Sequence, residues 1–290
     1  MPGTIAVGLD GTEHSLAAAD WAATEASHRG SILRLVHAWT WRVPDAPIAM
    51  DPEEQQRWAT GVLSEAETRV VKDRPGLPVT TQLLATDTVP ALVAEAAVAD
   101  MLVLGSRGHG TLVGNLLGSI ALHVLRQATG PVVLVRNPSR GSAPGQPLDE
   151  VVVGTQDGEE ADPVLGFAFA AAAVRGARVR AVRAWSIPPV FMWSPGSMWL
   201  ADEAGGLDSF RKERLAVALR PWRERYPQVD VIEHVEIGSA AQVLLACSGR
   251  AVLMVVGRHV HGRLDLRRIG SVAHAVLHHA PCPVAVVPHS

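Results

Sequence analysis

The chain has 290 residues, room for two ordinary domains, and its 48% apolar and 19% charged residues exclude an intrinsically disordered polypeptide. A net charge of −3 excludes a chain-wide electrostatic footprint for nucleic acid, and no apolar run reaches the roughly 18 residues of a membrane-spanning helix. The opening MPGTIAVGLDG lacks the basic and apolar segments of an export signal, so a cytoplasmic protein with no membrane partner is expected.

In chain order, the β-branched run Thr4–Leu9 predicts a first strand, followed by the turn Gly8-Leu9-Asp10-Gly11 and a helix over Ser15–Arg29. A second strand over Ile32–Ala38 ends in His37-Ala38-Trp39 and leads into the long connection Thr40–Gln56. Helical periodicity over Glu53–Lys72, a strand at Val79–Leu84, a helix at Val89–Val98 and a strand at Met101–Leu104 come next. A glycine-spaced loop starts at Gly105, and a helix over Gly118–Ala128 and a strand at Val132–Val135 complete the half. Asn137–Asp149, rich in Pro, Gly and Ser, reads as a linker. Strands near Val151–Gly154, Arg178–Ala184, Val229–Val235, Leu253–Val256 and Val284–Val287 follow, with an apolar connection at Ser186–Gly206 that carries Trp193 and Trp199. Short apolar strands alternating with alanine-rich helices predict an α/β fold, with a five-stranded parallel sheet covered on both faces in each half.

The halves are copies of one unit. Gly105–Val135 and Gly257–Val287 align without a gap and match at 13 of 31 positions. Gly8 corresponds to Gly154, and Ala38-Trp39 to Ala184-Trp185. The predicted boundaries are a first domain over residues 1–138, a linker over 139–149 and a second domain over 150–290.

Ligands of open parallel sheets bind at the carboxyl ends of the strands, where the strand order reverses. The end of strand one (Gly8, Asp10), the end of strand two (Ala38) and the loop after strand four converge there. That loop has the form Gly-x2-Gly-x9-Gly-Ser, filled by Gly105, Gly108, Gly118 and Ser119. Such spacing presents backbone N–H groups, a helix N-terminus and a hydroxyl to an anion, with Ser106, Arg107 and His109 in the same segment. Asp10 can accept from a ribose hydroxyl or an adenine amine, or help hold a divalent ion. Each piece also has a purely structural reading: tight βα turns use glycine, and Asp10 could cap the helix beginning near Thr12.

Competing machinery is excluded by residue type. Neither Lys72 nor Lys212 follows a glycine, which rules out a Walker A loop, and no GxGxxG or GxSxG motif occurs in the required context. Arg107 and His109 are the only nearby acid–base candidates, and without a water-activating carboxylate any hydrolysis would be slow, so no catalytic residue is assigned. Cys247 and Cys282 occupy non-equivalent positions and read as buried thiols. His259, His261, His274, His278 and His279 crowd the second half; His274 and His278 have chelating spacing, but surface or interface histidines are the plainer reading, and no metal ligand is assigned.

The combination of Gly105, Gly108, Gly118, Ser119, Asp10 and His37-Ala38 resembles the universal stress protein family, over nearly the whole chain. The resemblance implies two Rossmann-like (adenine nucleotide alpha hydrolase-like) domains that bind ATP with Mg. Adenine would sit near Asp10 and the Ala38 backbone. It also implies pairing through Val132–Val135 and Val284–Val287, a homodimer, an unidentified protein partner and a role in stress response. The second half departs from the pattern: its loop reads Gly257-Arg258-His259-Val260, and Gln156 stands in register with Asp10 unless Asp157 is re-registered. With Gly154, Ala184, Gly270 and Ser271 retained, a weak or absent second site is expected. The expected function is a nucleotide-dependent regulator using the first domain. The alternatives are a slow ATP hydrolase on the same site and a nucleotide-free interaction module working through the Trp193/Trp199 loop.

Overall fold

The computed structural model describes residues 2–40, 52–106, 117–136, 149–156, 161–186, 207–260 and 269–290. The chain divides into two units, Met1–Gly141 with Leu264–Ile269, and Ser142–Arg263 with Gly270–Ser290.

The first unit contains β1 (Thr4–Gly8), α1 (Glu13–Arg29), β2 (Ile32–Ala38), α2 (Pro52–Asp73), β3 (Val79–Leu84), α3 (Thr88–Val98), β4 (Met101–Gly105), α4 (Ser119–Gln127) and β5 (Val132–Val135). Its strands are parallel in the order β3-β2-β1-β4-β5. The chain therefore moves outward from β1 through β2 to β3, then returns to β4 and moves the other way. Right-handed crossovers put α1 and α2 on one face and α3 and α4 on the other. The switch point lies between β1 and β4.

The second unit repeats this plan with β6 (Glu150–Gly154), α5 (Asp162–Arg175), β7 (Arg178–Trp185), α6 (Leu207–Arg225), β8 (Val231–Ile237), α7 (Ala240–Ala246), a 3₁₀ turn at Cys247–Arg250, β9 (Ala251–His259), α8 (Ser271–His279) and β10 (Val284–His289). Its order is β8-β7-β6-β9-β10, again parallel. A switch point between β6 and β9 corresponds to that between β1 and β4.

Helix α1 shows how the sequence sets this packing. Thr12 is its N-cap, accepting from Ser15 N–H at 3.3 Å, and Gly30 ends it in the left-handed conformation (φ 61°). Ala18, Ala19, Ala22, Ala23 and Ala26 are all fully buried, a methyl-wide face that lets the helix lie close to the sheet. In the second unit α5 buries Ala168, Ala171, Ala172 and Phe169 in the same way.

The observed elements depart from the predicted ranges where local hydrogen bonds decide. With Thr12 as its N-cap, α1 starts at Glu13, two residues before Ser15. β8 begins at Val231 rather than Val229, because Val229 N–H closes a turn onto the Tyr226 carbonyl. The largest difference is β9, predicted to end at Val256 and found to run to His259.

Candidate functional site

At the carboxyl end of β1 the chain turns sharply. Asp10 Oδ1 accepts from the Thr12 N–H at 3.0 Å and from the Thr12 hydroxyl at 2.6 Å, and Gly11 adopts φ +79° between them. Only glycine holds that backbone angle without strain. Asp10 thus supports the residue that caps α1, so its structural role is realised. The same bonds fix the carboxylate at the mouth of the switch point.

The end of β2 is tied to this turn. His37 Nδ1 donates to the Leu9 carbonyl at 2.7 Å, and Leu9 N–H donates to the Val36 carbonyl. Ala38, half-buried, pairs in register with Leu84 at the strand end. Trp58 of α2 meets the His37 ring edge-on, with centroids 5.5 Å apart, and a Cβ at Gly11 would stand 3.6 Å from Trp58 Cζ2. An indole 50% exposed therefore flanks the Asp10 turn and offers a flat apolar face at the crevice mouth. Nothing in the spacing of the sequence singled out Trp58; its only signal is a large aromatic one helical turn before the buried Val62.

At the end of β4, Gly105 has a packing reason to be glycine. A Cβ there would lie 2.7 Å from the His14 carbonyl oxygen and 3.0 Å from the Ser15 nitrogen, so the first turn of α1 presses directly on the strand end. Ser106 is buried, with its N–H on the Val135 carbonyl and its carbonyl accepting from Gly118 N–H at 3.1 Å. These bonds clamp the base of the glycine loop. They also remove the Ser106 and Gly118 N–H groups from the set available to a ligand. Among the described residues there remains the start of α4, whose N-cap Gly118 has no side chain to bond the first turn, and whose Ser119 and Ile120 are exposed. N–H groups of an uncapped first turn suit an anion. Arg107, Gly108 and His109 lie outside the described residues.

The second unit builds the same frame with different contents. Thr155 N–H donates to the Val182 carbonyl as Leu9 does to Val36, so Gln156 stands where Asp10 stands. Asp157 lies outside the described residues. Ala184 pairs with Glu236, and Arg183, buried, occupies the place of His37. Gly270 caps α8 without a side-chain bond, and Ser271 starts the helix. The segment Gly257-Arg258-His259 is not a loop, as the glycine pattern predicted, but the end of β9, paired with Val287, Pro288 and His289. Branched Val260 favours extended backbone, and the partner strand extends far enough to hold it.

The sequence profile of the universal stress protein family matches residues 1–136 and again residues 147–288. The chain belongs to the universal stress protein family. It is similar to a universal stress protein of Mycobacterium tuberculosis, 34% identical over 299 residues, which span 99% of this chain and 97% of the relative. One from Mycolicibacterium smegmatis is 31% identical over 294 residues, spanning 98% and 96%. Among solved structures, a universal stress protein from Archaeoglobus fulgidus superposes with a TM-score of 0.68 at 17% identity over 99% of this chain and 98% of that one, a likeness of fold.

Within this universal stress fold, the described site residues Gly8, Asp10, Ala38, Gly105, Ser106, Gly118 and Ser119 all fall at the carboxyl edge of the first unit's sheet or at the start of α4. The other chemical candidates lie apart from that edge or in segments without description. His274 and His278 stack on one face of α8 with centroids 4.4 Å apart, and no group of three or more metal-ligating side chains occurs among the described residues. Cys247 is partly buried and Cys282 buried, and the two are not joined in a disulfide; burial pushes the Cys247 thiol up from its ordinary range. Trp193 and Trp199 lie outside the described residues. No helix among the described residues is long and apolar enough to cross a membrane.

Proposed function

We propose that this chain binds ATP, with Mg, in its first domain and acts as a nucleotide-dependent regulator in stress response rather than as a high-turnover enzyme. The observation that carries the reading is the meeting at one sheet edge of a fixed carboxylate (Asp10), the end of β2 at Ala38, a clamped glycine loop and the uncapped start of α4 at Ser119. Adenine and ribose suit the Asp10 and Ala38 side, with Trp58 as a flat apolar wall. Phosphates suit the loop and the first turn of α4. Asp10 would help hold Mg, which would supply positive charge to offset that of the phosphates. Family membership supports the same chemistry, as does the Gly105, Gly108, Gly118, Ser119 spacing. The reading extends to a cytoplasmic homodimer that signals to a protein partner through its nucleotide state.

Denaturing extraction of the freshly purified protein, with nucleotide counted per chain, tests it. About one ATP per chain is expected, and Gly108→Val should remove most of it without unfolding the protein. An empty extract, together with no thermal shift on adding MgATP, would overturn the proposal. ADP in place of ATP would transfer weight to slow hydrolysis on the same site.

A further inference from the structure

In the second unit, the strand that carries Gly257 does not stop at the site. β9 continues through Arg258 and His259, which pair with Pro288 and His289, and the next amide, Val260 N–H, donates to the His289 carbonyl at 2.7 Å. Val260 is the counterpart of Gly108 in the aligned repeat. The amide that a glycine loop would turn toward a phosphate is therefore bonded within the second unit's own sheet.

The side chain of His289 adds to the closure. Its ring meets that of His259 edge-on at 5.1 Å, and a Cβ on Gly257 would lie 2.7 Å from His289 Nε2. In the first unit the same position beside Gly105 is filled by the backbone of α1. α5 starts eight residues after Gly154, whereas α1 starts five after Gly8, and beside Gly257 stand the His289 imidazole and, from the first turn of α5, Val164 Cγ2, at 3.2 Å from such a Cβ. Among the described residues, Gly154, Gln156, Ala161, Val164, Gly257 and His289 line a partly open pocket of about 20 Å³, room for one water.

We propose that the Pro288-His289 extension of β10 is a strap that closes the second crevice and limits the chain to one nucleotide. This rests on the first-domain ATP site proposed above. It assigns the closure of the second crevice to strand pairing, and not to the replacement of glycine by Val260 alone.

The test combines Val260→Gly with deletion of Pro288–Ser290 in the full chain, read by bound ATP per chain and by hydrogen exchange at the residue 260 amide. The intact protein should protect that amide by about 100-fold or more over the deletion variant, as a bonded strand amide does. Val260→Gly alone should still carry one ATP, and the combined variant two. Deletion of His289 and Ser290 alone serves if the longer deletion does not fold: it removes the carbonyl that holds the Val260 amide, and with Val260→Gly it should also admit a second ATP. Two ATP in Val260→Gly alone would overturn the strap, as would an unprotected Val260 amide in the intact protein. So would a folded combined variant that still binds one. If the intact protein binds no ATP, the first-domain reading fails, while the exchange measurement still decides whether the strap exists.

Discussion

His37 Nδ1 stands 2.7 Å from the carbonyl oxygen of Leu9, joining the end of β2 to the turn that carries Asp10. A carbonyl can only accept, so Nδ1 holds the proton in this bond. His37 is buried. Replacing it with leucine leaves the Leu9 carbonyl without this donor, a loss of about 1–3 kcal/mol in stability. Urea unfolding of His37→Leu measures it; a change below about 0.5 kcal/mol would show that the bond does not hold the two strand ends together.

Alanine at the two equivalent glycines should behave differently. At Gly105 the added Cβ meets fixed helix backbone at 2.7 Å, whereas at Gly257 it meets the His289 ring at the same distance, and a ring can rotate away. Gly105→Ala should cost about 1–3 kcal/mol through overpacking, and Gly257→Ala clearly less. Thermal melts of the two variants, compared with the unaltered protein, decide this; equal losses would contradict the difference in packing.

Asp10 has two duties that substitution can separate. Asparagine keeps a side-chain oxygen for Thr12 but gives up the charge, whereas alanine gives up both. Asp10→Asn should unfold within about 0.5 kcal/mol of the unaltered protein, and Asp10→Ala should lose about 1 kcal/mol, a typical figure for a lost polar support near a helix cap. Both should weaken ATP binding by tenfold or more on titration. Unchanged affinity in Asp10→Asn would confine Asp10 to its turn.

Acid should weaken the entrance to β6. Hydrogen bonds from Arg250, and then from Arg178, hold the Asp149 carboxyl below its usual range. A depressed folded-state value means that the contribution is complete above the unfolded value, about 3.9, and is lost as pH falls through the folded one. The exposed pair contributes little at neutral pH. In Asp149→Asn, the slope of stability against pH below about 4 should be shallower than in the unaltered protein. Identical acid slopes would remove Asp149 from the account.

The strands were legible because parallel strands buried on both faces must be apolar along their length. Ile5, Ala6 and Val7, or Leu102 and Val103, can be recognised without any partner. Glycine and aspartate at the sheet edge were legible from their spacing, although the structure gives Gly105 a packing role and Asp10 a turn role beside any ligand role. Other features depend on residues far apart in sequence. Trp58 reaches Gly11 and His37 only once α2 has folded over α1's side of the sheet. The ion pair of Arg250 with Asp149 spans 101 positions. The end of β9 could not be read from Gly257-Arg258-His259 itself, because it is set by how far β10 extends beside it.

The five buried alanines of α1 leave one further mark on the molecule. Alanine has no rotamers to lose, so this face costs only backbone entropy to order and cannot be repacked by turning a side chain. A larger residue at Ala22 or Ala26 would have to lever the whole helix outward, carrying Thr12 and the Asp10 turn with it. The crevice is thus fixed from behind by a contact with no slack, and its geometry is inherited from methyl groups that never touch a ligand.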